Sequence, residues 1–132
     1  MSFQNLTPML GVSSIRNTIT FYEKLGFKVN STFGEGSEPC WVHMEAGKAQ
    51  LMFYQLESDC KERSAAKDDM IFYLYPEVDV VTCQQQLKTA GLSVSDLRVT
   101  VYQMKEFELR DPDNYAIWYG QETDEPPTVP EE

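Results

Sequence analysis

The chain has 132 residues, of which 42% are hydrophobic and 24% are charged, and its formal net charge is −10. That length allows one domain with a sizeable core, the acidic balance disfavours nucleic acid as a partner, and no apolar run approaches the ~20 residues of a membrane-spanning helix. The three cysteines are widely spaced and the N-terminus shows no secretory signal, so we expect a cytoplasmic protein without a disulfide framework.

The first half of the chain, residues 5–56, predicts one helix among four strands. The run LTPMLGV is typical of a strand, and SIRNTITFYEKLG has the apolar spacing of a helix. Ser14 is suited to cap the start of this helix, and Gly26 supplies the left-handed residue after its end. The runs FKVNSTF, CWVHME and AQLMFYQ then predict three strands.

The second half, residues 70–120, predicts the same order of elements. The strand-like run MIFYLY precedes a helix that extends from its cap Asp79 to Gly91, and LSV, VYQMKEFEL and YAIWYG predict the strands that follow. Asp79 and Gly91 each come 65 residues after their counterparts Ser14 and Gly26. We therefore predict two βαβββ modules and a fold of the α+β class.

Two segments lie outside these modules. Residues 57–69 are polar and charged and predict a connecting loop, in which KERSAAK could form a short helix. Residues 121–132 hold five acidic residues and three prolines with no apolar period, so we predict a disordered acidic tail.

Strand alternation divides the side chains of the predicted sheets into two sets. Successive residues of a strand point to opposite faces, so one set packs under the helices: Leu51, Phe53, Phe107, Leu109 and Ile117. The other set lies on the opposite face: Trp41, His43, Met52, Tyr54, Glu106, Glu108 and Trp118. Aromatic side chains mixed with carboxylates are typical of an open surface for an amphipathic ligand, since a sealed core would not keep two carboxylates without partners.

Two segments resemble those of a known superfamily. The helix run VSSIRNTITFYEKLGFKV and the hairpin run FELRDPDNYAIW resemble the first helix and the closing hairpin of the vicinal oxygen chelate superfamily, which includes glyoxalase I, extradiol dioxygenases and bleomycin-resistance proteins. Asn114 stands where the family usually has glycine, and asparagine tolerates the left-handed conformation. The resemblance implies a single domain over residues 1–120, whose two modules form a curved mixed sheet with a concave cleft, and a homodimer.

The resemblance also implies where a metal would be held in the enzymes of the superfamily. Carried over to this sequence, the four ligand positions fall on Thr7, Met52, Phe72 and Trp118, with Tyr73 replacing Phe72 if the strand register differs by one residue. None of these side chains is His, Asp or Glu, which supply the donors that divalent ions need. We therefore expect no metal and no other cofactor.

His43 is the only histidine of the chain. It could contact a ligand, it could act as a general base because imidazole titrates near neutral pH, or it could be an ordinary polar residue of a strand. The glutamates Glu106 and Glu108 could favour a positively charged ligand over a negatively charged one.

The function that we expect is metal-independent binding of a small amphipathic aromatic molecule, which could carry a positive charge. The predicted ligand-binding residues are Trp41, His43, Met52, Tyr54, Phe72, Tyr73, Glu106, Glu108 and Trp118, and no residue is predicted to be catalytic. One alternative is a glyoxalase-like lyase or isomerase, with a metal held elsewhere or with metal-free chemistry at His43 and a glutamate. Another is that Met52 and Trp118 only fill the surface and bind nothing. Neither a nucleic acid nor a membrane is expected as a partner.

Overall fold

The computed structural model describes residues 1–34, 39–57 and 67–128, apart from the side chains of residues 67 and 68. It divides the chain into two compact units, Met1–Ala65 and Ala66–Glu132, which we call the first and second units. Among the described residues, each unit contains one helix and one four-stranded sheet. This is the βαβββ order that the sequence predicts for each half, and the α+β class is confirmed.

The first unit is built from β1 (Met9–Val12), α1 (Ile15–Lys24), β2 (Lys28–Phe33), β3 (Trp41–Ala46) and β4 (Ala49–Gln55). The strands have the order β1-β4-β3-β2. β1 is parallel to β4, whereas β3 is antiparallel to both of its neighbours. The first strand of the module therefore lies beside its last strand, and α1 makes the crossover between β1 and β2.

The second unit repeats this topology with β5 (Lys67–Leu74), α2 (Val80–Thr89), β6 (Arg98–Val99), β7 (Met104–Arg110) and β8 (Tyr115–Glu122). The strands have the order β5-β8-β7-β6, with β5 parallel to β8 and the other pairs antiparallel. β5 begins at Lys67, three residues before the predicted start. The predicted loop and the optional helix in KERSAAK otherwise fall largely outside the described residues.

The two helices begin and end as the sequence predicts. The Ser14 hydroxyl accepts a hydrogen bond from the Asn17 amide, and the Asp79 carboxylate accepts from the amides of Val81 and Thr82. Gly26 and Gly91 follow the helix ends with φ of 105° and 90°, values that are strained for any residue with a Cβ.

A second cap on each helix is visible only in the structure. Gln55, at the end of β4, accepts a hydrogen bond of 3.0 Å from the Ile15 amide through its Oε1 atom. Gln121, near the end of β8, does the same for the Val80 amide at 2.7 Å. Each module thus ties the start of its helix to the end of its last strand, which satisfies an amide that would otherwise lack an intrahelical partner.

The core of each unit lies on the sheet face that alternation assigns to the helix. In the first unit, Val42, Met44 and Phe53 are fully buried, and the Tyr22 ring of α1 lies 4.9 Å from the Phe53 ring. In the second unit, the rings of Phe107 and Tyr119 stack at 4.7 Å.

The apolar spacing places Ile15, Ile19, Tyr22 and Leu25 on the core side of α1, and Val80, Cys83, Leu87 and Ala90 on the core side of α2. On α1, Thr18 is fully buried, whereas Ile19 and Leu25 are only half-buried. On α2, Ala90 is exposed, and Gln84 is buried instead because its amide donates to the Ser95 carbonyl at 2.9 Å.

The closing hairpin and the tail complete the second unit. Asn114 has a φ of 68°, and its amide donates to the Asp111 carbonyl, as expected for the turn. In the tail that was predicted to be disordered from residue 121, residues 121–128 contact the rest of the second unit. β8 continues to Glu122, the Thr128 amide donates to the Val99 carbonyl, and Lys105 pairs with Glu125 at 3.0 Å. Unpaired backbone groups at the edge strand β6 explain the contact between Thr128 and Val99, because they can bind an extended segment.

Neither helix in the described residues is long and apolar enough to cross a lipid bilayer.

Candidate ligand-binding site

The second unit brings together most of the residues predicted for its half of the site. In the strand pairing of this sheet, Trp118 on β8 lies between Tyr73 on β5 and Glu108 on β7, and Glu106 pairs with Gly120. Residues that pair across strands point to the same face of a sheet, so these side chains share one face, opposite to Phe107 and Tyr119. We call it the Trp118 face.

Glu106 is a buried anion on this face. Its side chain is fully buried, yet both of its oxygens have donors. The Tyr73 hydroxyl donates to Oε2 at 2.6 Å and the Tyr102 hydroxyl donates to the same atom at 3.1 Å. Arg98 donates to Oε1 at 3.2 Å. A buried carboxylate is costly unless it is paired and hydrogen-bonded, and here three side chains meet that requirement.

Arg98 joins the two glutamates to the indole. Its Nη1 atom donates to Glu108 at 3.0 Å and its Nη2 atom donates to Glu106. The Cζ atom lies 4.9 Å from the centroid of the Trp118 ring, within the range of a cation–π contact. The two carboxylates are therefore occupied within the module, which corrects the expectation that both were available to attract a ligand.

Arg98 was not predicted as a site residue because its strand was predicted elsewhere. The run LSV was expected to form the strand after the second helix, but residues 92–97 form no strand, and β6 is the two-residue strand Arg98–Val99 in the run DLRVT. The pairing of Arg98 with Glu106 across β6 and β7 is what places it on the Trp118 face. Tyr102 was also missed, since it lies in the turn after β6 and reaches Glu106 through its hydroxyl alone.

The titration properties of this cluster follow from its burial and hydrogen bonds. Burial acts to lower the pKa of Arg98, but the hydrogen bonds and charges of Glu108 and Glu106 outweigh it and raise the pKa above its ordinary value. Burial and the hydrogen bond to Glu106 raise the pKa of Tyr73 far above that of free tyrosine, and the same two causes raise the pKa of Tyr102. At neutral pH the guanidinium is charged and both hydroxyls can donate.

Gly120 makes room for the Tyr73 ring. A Cβ atom at position 120 would lie 2.0 Å from the Tyr73 hydroxyl oxygen and 2.6 Å from its Cζ atom. Only a glycine lets the ring lie across β8 and reach Glu106 in this way. The absence of a side chain at position 120 is thus part of the site.

Three aromatic rings lie next to one another on this unit. The Tyr73 ring lies 6.4 Å from the Trp118 ring and 5.0 Å from the Tyr75 ring. Tyr73 and Trp118 are half-buried, whereas Tyr75 is 73% exposed. We call these three residues the aromatic row. Its Trp118 end contacts Arg98.

The register decides between the two predicted positions on β5. Tyr73 pairs with Trp118, whereas Phe72 pairs with the buried Ile117 and its ring lies 6.1 Å from that of Tyr115. Phe72 therefore belongs to the opposite face, and its predicted place in the ligand surface is wrong. The reason is that the run MIFYLY is apolar at nearly every position, so its sequence alone cannot fix which parity faces the helix.

The first unit carries the other four predicted residues on one face of its own sheet. Trp41 pairs with Tyr54 and His43 pairs with Met52, while Val42 between them is buried on the helix side. Trp41, His43 and Met52 are half-buried and Tyr54 is 40% exposed. The parity predicted for β3 and β4 is therefore the observed one.

His43, and Thr7 as the predicted metal-ligand position of the first strand, have neighbours that the sequence did not indicate. The His43 Nε2 atom lies 2.9 Å from Gln50 Oε1, so its contact is an amide and not a carboxylate. Thr7 lies before β1 and bonds to Asn5, and the residue that pairs with Met52 is Met9. The assignment of the first-strand position to Thr7 stays a prediction, and the residue that pairs with Met52 carries a thioether.

These side chains are a poor fit for a divalent metal. At the positions that pair with one another, the first unit has Met9 beside Met52 and the second has Tyr73 beside Trp118. Within residues 1–34, 39–57 and 67–128, no three His, Cys, Asp or Glu side chains group so that they could hold a metal ion. What the second unit offers a ligand is aromatic surface and one arginine–carboxylate network.

Similar proteins share this architecture. The sequence profile of the Glyoxalase/Bleomycin resistance protein/Dioxygenase superfamily matches residues 6–119. A protein from the mobile metagenome of V. pseudocholerae is 25% identical, with a TM-score of 0.66 over 91% of this chain and 95% of that chain. A bleomycin-binding protein in complex with bleomycin is 20% identical, with a TM-score of 0.70 over 90% of this chain and 98% of the other. The antibiotic binding protein TnmS3 from Streptomyces sp. CB03234 is 17% identical, with a TM-score of 0.69 over 93% and 99%. No curated protein matches the chain in sequence.

Proposed function

The chain belongs to the glyoxalase/bleomycin resistance protein/dioxygenase superfamily, and we propose that it binds a small amphipathic aromatic molecule without a metal ion and without transforming it. Binding of small molecules is within the range of this fold, since two proteins of the same architecture are named for binding bleomycin and an antibiotic. The ligand class and the independence from metal rest on the residues of this chain.

The observation that carries the proposal is the aromatic row on the second unit. Tyr73, Tyr75 and Trp118 place three rings in succession at 5.0 and 6.4 Å, and each half-buried ring is held in place by neighbours. Tyr73 is fixed by its hydrogen bond to Glu106, and Trp118 is covered in part by Arg98. Rigid aromatic side chains bind aromatic ligands with little loss of conformational freedom, and each ring pair contributes about 0.5–1.5 kcal/mol beyond the burial of area.

The donor set supports binding that needs no metal. An ion of the kind used by the enzymes of this superfamily requires several N, O or S⁻ donors in one shell. Thioether and indole side chains stand at Met52 and Trp118, and the carboxylates Glu106 and Glu108 are engaged by Arg98. His43, whose imidazole is a potential ligand, contacts Gln50.

We also propose that the protein is a cytoplasmic homodimer. Several large apolar side chains are exposed on the sheet of the first unit, with Met9 at 55%, Phe33 at 73% and Tyr54 at 40%. Apolar surface of this kind is often covered by a second copy of the chain. Cys40 and Cys83 are free thiols, as is usual in a reducing compartment. Light scattering at micromolar concentration should give twice the mass of the 15.2 kDa chain, and a monomeric mass would reject the dimer.

The test of binding uses the two tryptophans as separate reporters. Each indole N–H gives its own signal in a proton–nitrogen correlation spectrum, and the variant Trp41→Phe identifies the signal of Trp118. Bleomycin and a panel of planar aromatic compounds are titrated into protein that has been dialysed against a chelator. We expect a saturable shift of the Trp118 signal for at least one compound, together with a rise in the melting temperature of the protein.

Elemental analysis of the protein as purified separates this function from the enzymatic alternative. If the protein binds its ligand without a metal, we expect no stoichiometric Zn, Ni, Mn or Fe. About one metal ion per chain that survives dialysis against a weak chelator would favour a glyoxalase-like lyase or isomerase instead.

A further inference from the structure

The indole and the two glutamates of the Trp118 face, which could recognise a positive charge, all contact Arg98. The indole ring lies 4.9 Å from the guanidinium carbon, Glu106 accepts from Nη2 at 3.2 Å, and Glu108 accepts from Nη1 at 3.0 Å. An indole face and a pair of carboxylates are the usual components of a site for an organic cation. In this unit those components form one site, and a side chain of the same chain fills it.

We infer that Arg98 determines the charge selectivity of the Trp118 face and that the ligand group bound there is an uncharged planar aromatic ring. This inference rests on the proposed function, because it names the chemical class of the ligand for the same surface. It also replaces the expectation, drawn from the two glutamates, that a positive charge on the ligand would be favoured.

The first reason is competition for the same contacts. A cationic ligand that approached the indole would meet a fixed guanidinium at van der Waals distance, and like charges in contact disfavour association. To take its place the ligand would have to separate Arg98 from both carboxylates. The Arg98 side chain is only 26% exposed and the Glu106 side chain is fully buried, so water cannot replace the lost contacts well.

The second reason is that Glu106 is fully buried and already accepts hydrogen bonds from three side chains. Besides Arg98, the hydroxyls of Tyr73 and Tyr102 donate to it at 2.6 and 3.1 Å. Glu108 is 32% exposed and shares Arg98 as its partner. What remains for a ligand is the uncovered part of the Trp118 ring and the adjoining rings of the aromatic row, which attract a neutral ring by dispersion and apolar burial.

The experiment compares two probes that differ in charge and little else. Quinoline is uncharged at neutral pH, and N-methylquinolinium is the same ring system with a permanent positive charge. Each probe is titrated separately, and its dissociation constant is read from the indole N–H signal of Trp118. The ratio of the two constants is the charge selectivity of the Trp118 face.

The test variant is the double substitution Arg98→Leu with Glu106→Gln. Removing Arg98 alone would leave a buried charge without its ion pair and could prevent folding, whereas glutamine at position 106 keeps a carbonyl oxygen for the hydroxyls of Tyr73 and Tyr102. The double variant has the same net charge as the natural chain. Its matched control is Lys105→Gln with Glu125→Gln, which removes another ion pair of this unit, away from the Trp118 face, also without a change in net charge.

We expect the natural chain and the control to bind quinoline at least as tightly as N-methylquinolinium. In the Arg98→Leu/Glu106→Gln variant the indole becomes free for a cation and Glu108 lacks its arginine. The selectivity should then move toward N-methylquinolinium by roughly 2- to 30-fold, the range of a cation–π contact.

Two results would overturn the inference. The first leaves the proposed function standing, and the second rejects the proposed function as well. A natural chain that prefers N-methylquinolinium, with the same ratio in the double variant, leaves binding at Trp118 intact and shows that Arg98 does not set the selectivity. If neither probe shifts the Trp118 signal of the natural chain at millimolar concentration, the proposed function itself fails, and the inference fails with it.

Discussion

Replacing Gly120 with alanine tests the arrangement of the Trp118 face with one added methyl group. The backbone of Gly120 does not have a positive φ, so alanine can adopt its conformation. The strain comes from Tyr73, whose hydroxyl oxygen, Cζ and Cε1 atoms would lie 2.0, 2.6 and 2.8 Å from the new Cβ. Real contacts of this kind are not shorter than about 3 Å, so the ring must leave its place across β8.

The expected loss follows from the hydrogen bond that the ring makes. Once displaced, the Tyr73 hydroxyl no longer reaches Glu106, which is fully buried. A hydrogen bond to a charged group contributes roughly 1.5–3 kcal/mol, and the lower chain entropy of alanine in the unfolded state returns roughly 0.4–1 kcal/mol. The free energy of unfolding should therefore fall by about 1–2 kcal/mol.

Urea unfolding followed by far-ultraviolet circular dichroism measures this loss, and two further variants show its cause. In a Tyr73→Ala background the obstructing ring is gone, so Gly120→Ala should no longer destabilise. Gly11→Ala is the matched control in the first unit, where the nearest atom to the added Cβ is the end of the Leu56 side chain at 2.7 Å. Because a leucine end can rotate away, Gly11→Ala should destabilise less than Gly120→Ala.

An unchanged or increased stability of Gly120→Ala would refute the reasoning. In that case Tyr73 does not lie across position 120, and its hydrogen bond to Glu106 is not the contact that fixes the aromatic row. The same conclusion would follow if Gly120→Ala destabilised equally with and without the Tyr73 ring.

Three more predictions use other contacts of the described residues. Gln121→Ala removes the acceptor of the Val80 amide at 2.7 Å and should lower the free energy of unfolding by about 1 kcal/mol in urea titrations, whereas full stability would mean that water replaces this cap. Because the pKa of Tyr73 is raised in the folded state, its contribution to stability is complete below the unfolded pKa of about 10 and is lost as the pH rises toward the folded value. Tyr73→Phe should therefore flatten the fall of stability above about pH 10 by up to ~1.4 kcal/mol per pH unit, and an identical slope in both proteins would contradict this. Trp118→Glu should weaken the binding of any ligand that raises the melting temperature, a measurement that does not depend on the indole signal. The variant should also retain no metal after dialysis, since Met52 and Tyr73 still lack suitable donors; a metal-loaded variant would show that donors exist elsewhere.

The fold could be predicted from the sequence because its signals are local and occur twice. Ser14 and Asp79 cap helices that end before glycines with positive φ, and the turn at Asn114 has the conformation that its residues favour. Alternation in β3 and β7 assigned the buried side correctly, because Val42 and Phe107 are flanked by polar or amphipathic residues. Where every position of a run is apolar, as around Phe72, alternation does not show which side chains face the helix. Only the pairing of β5 with β8 assigns the two faces there.

The chemistry of the candidate site was less accessible to sequence reasoning. Alternation placed Glu106 on the correct face, but its partners lie 33 residues before it, at Tyr73, and eight before it, at Arg98. Neither separation has a periodicity that indicates contact. Two glutamates without a visible partner therefore suggested attraction for a cation, whereas in the structure both accept hydrogen bonds from Arg98.

The measurement that tests the central claim most directly is the titration of an aromatic ligand into metal-free protein, observed at the indole N–H of Trp118. If the aromatic row is a ligand-binding surface that needs no metal, the Trp118 signal will shift to saturation in the presence of a chelator, and the shift will be lost when Tyr73 and Tyr75 are replaced with alanine. A signal that responds only after a divalent metal is added, or a response confined to Trp41, would contradict the claim.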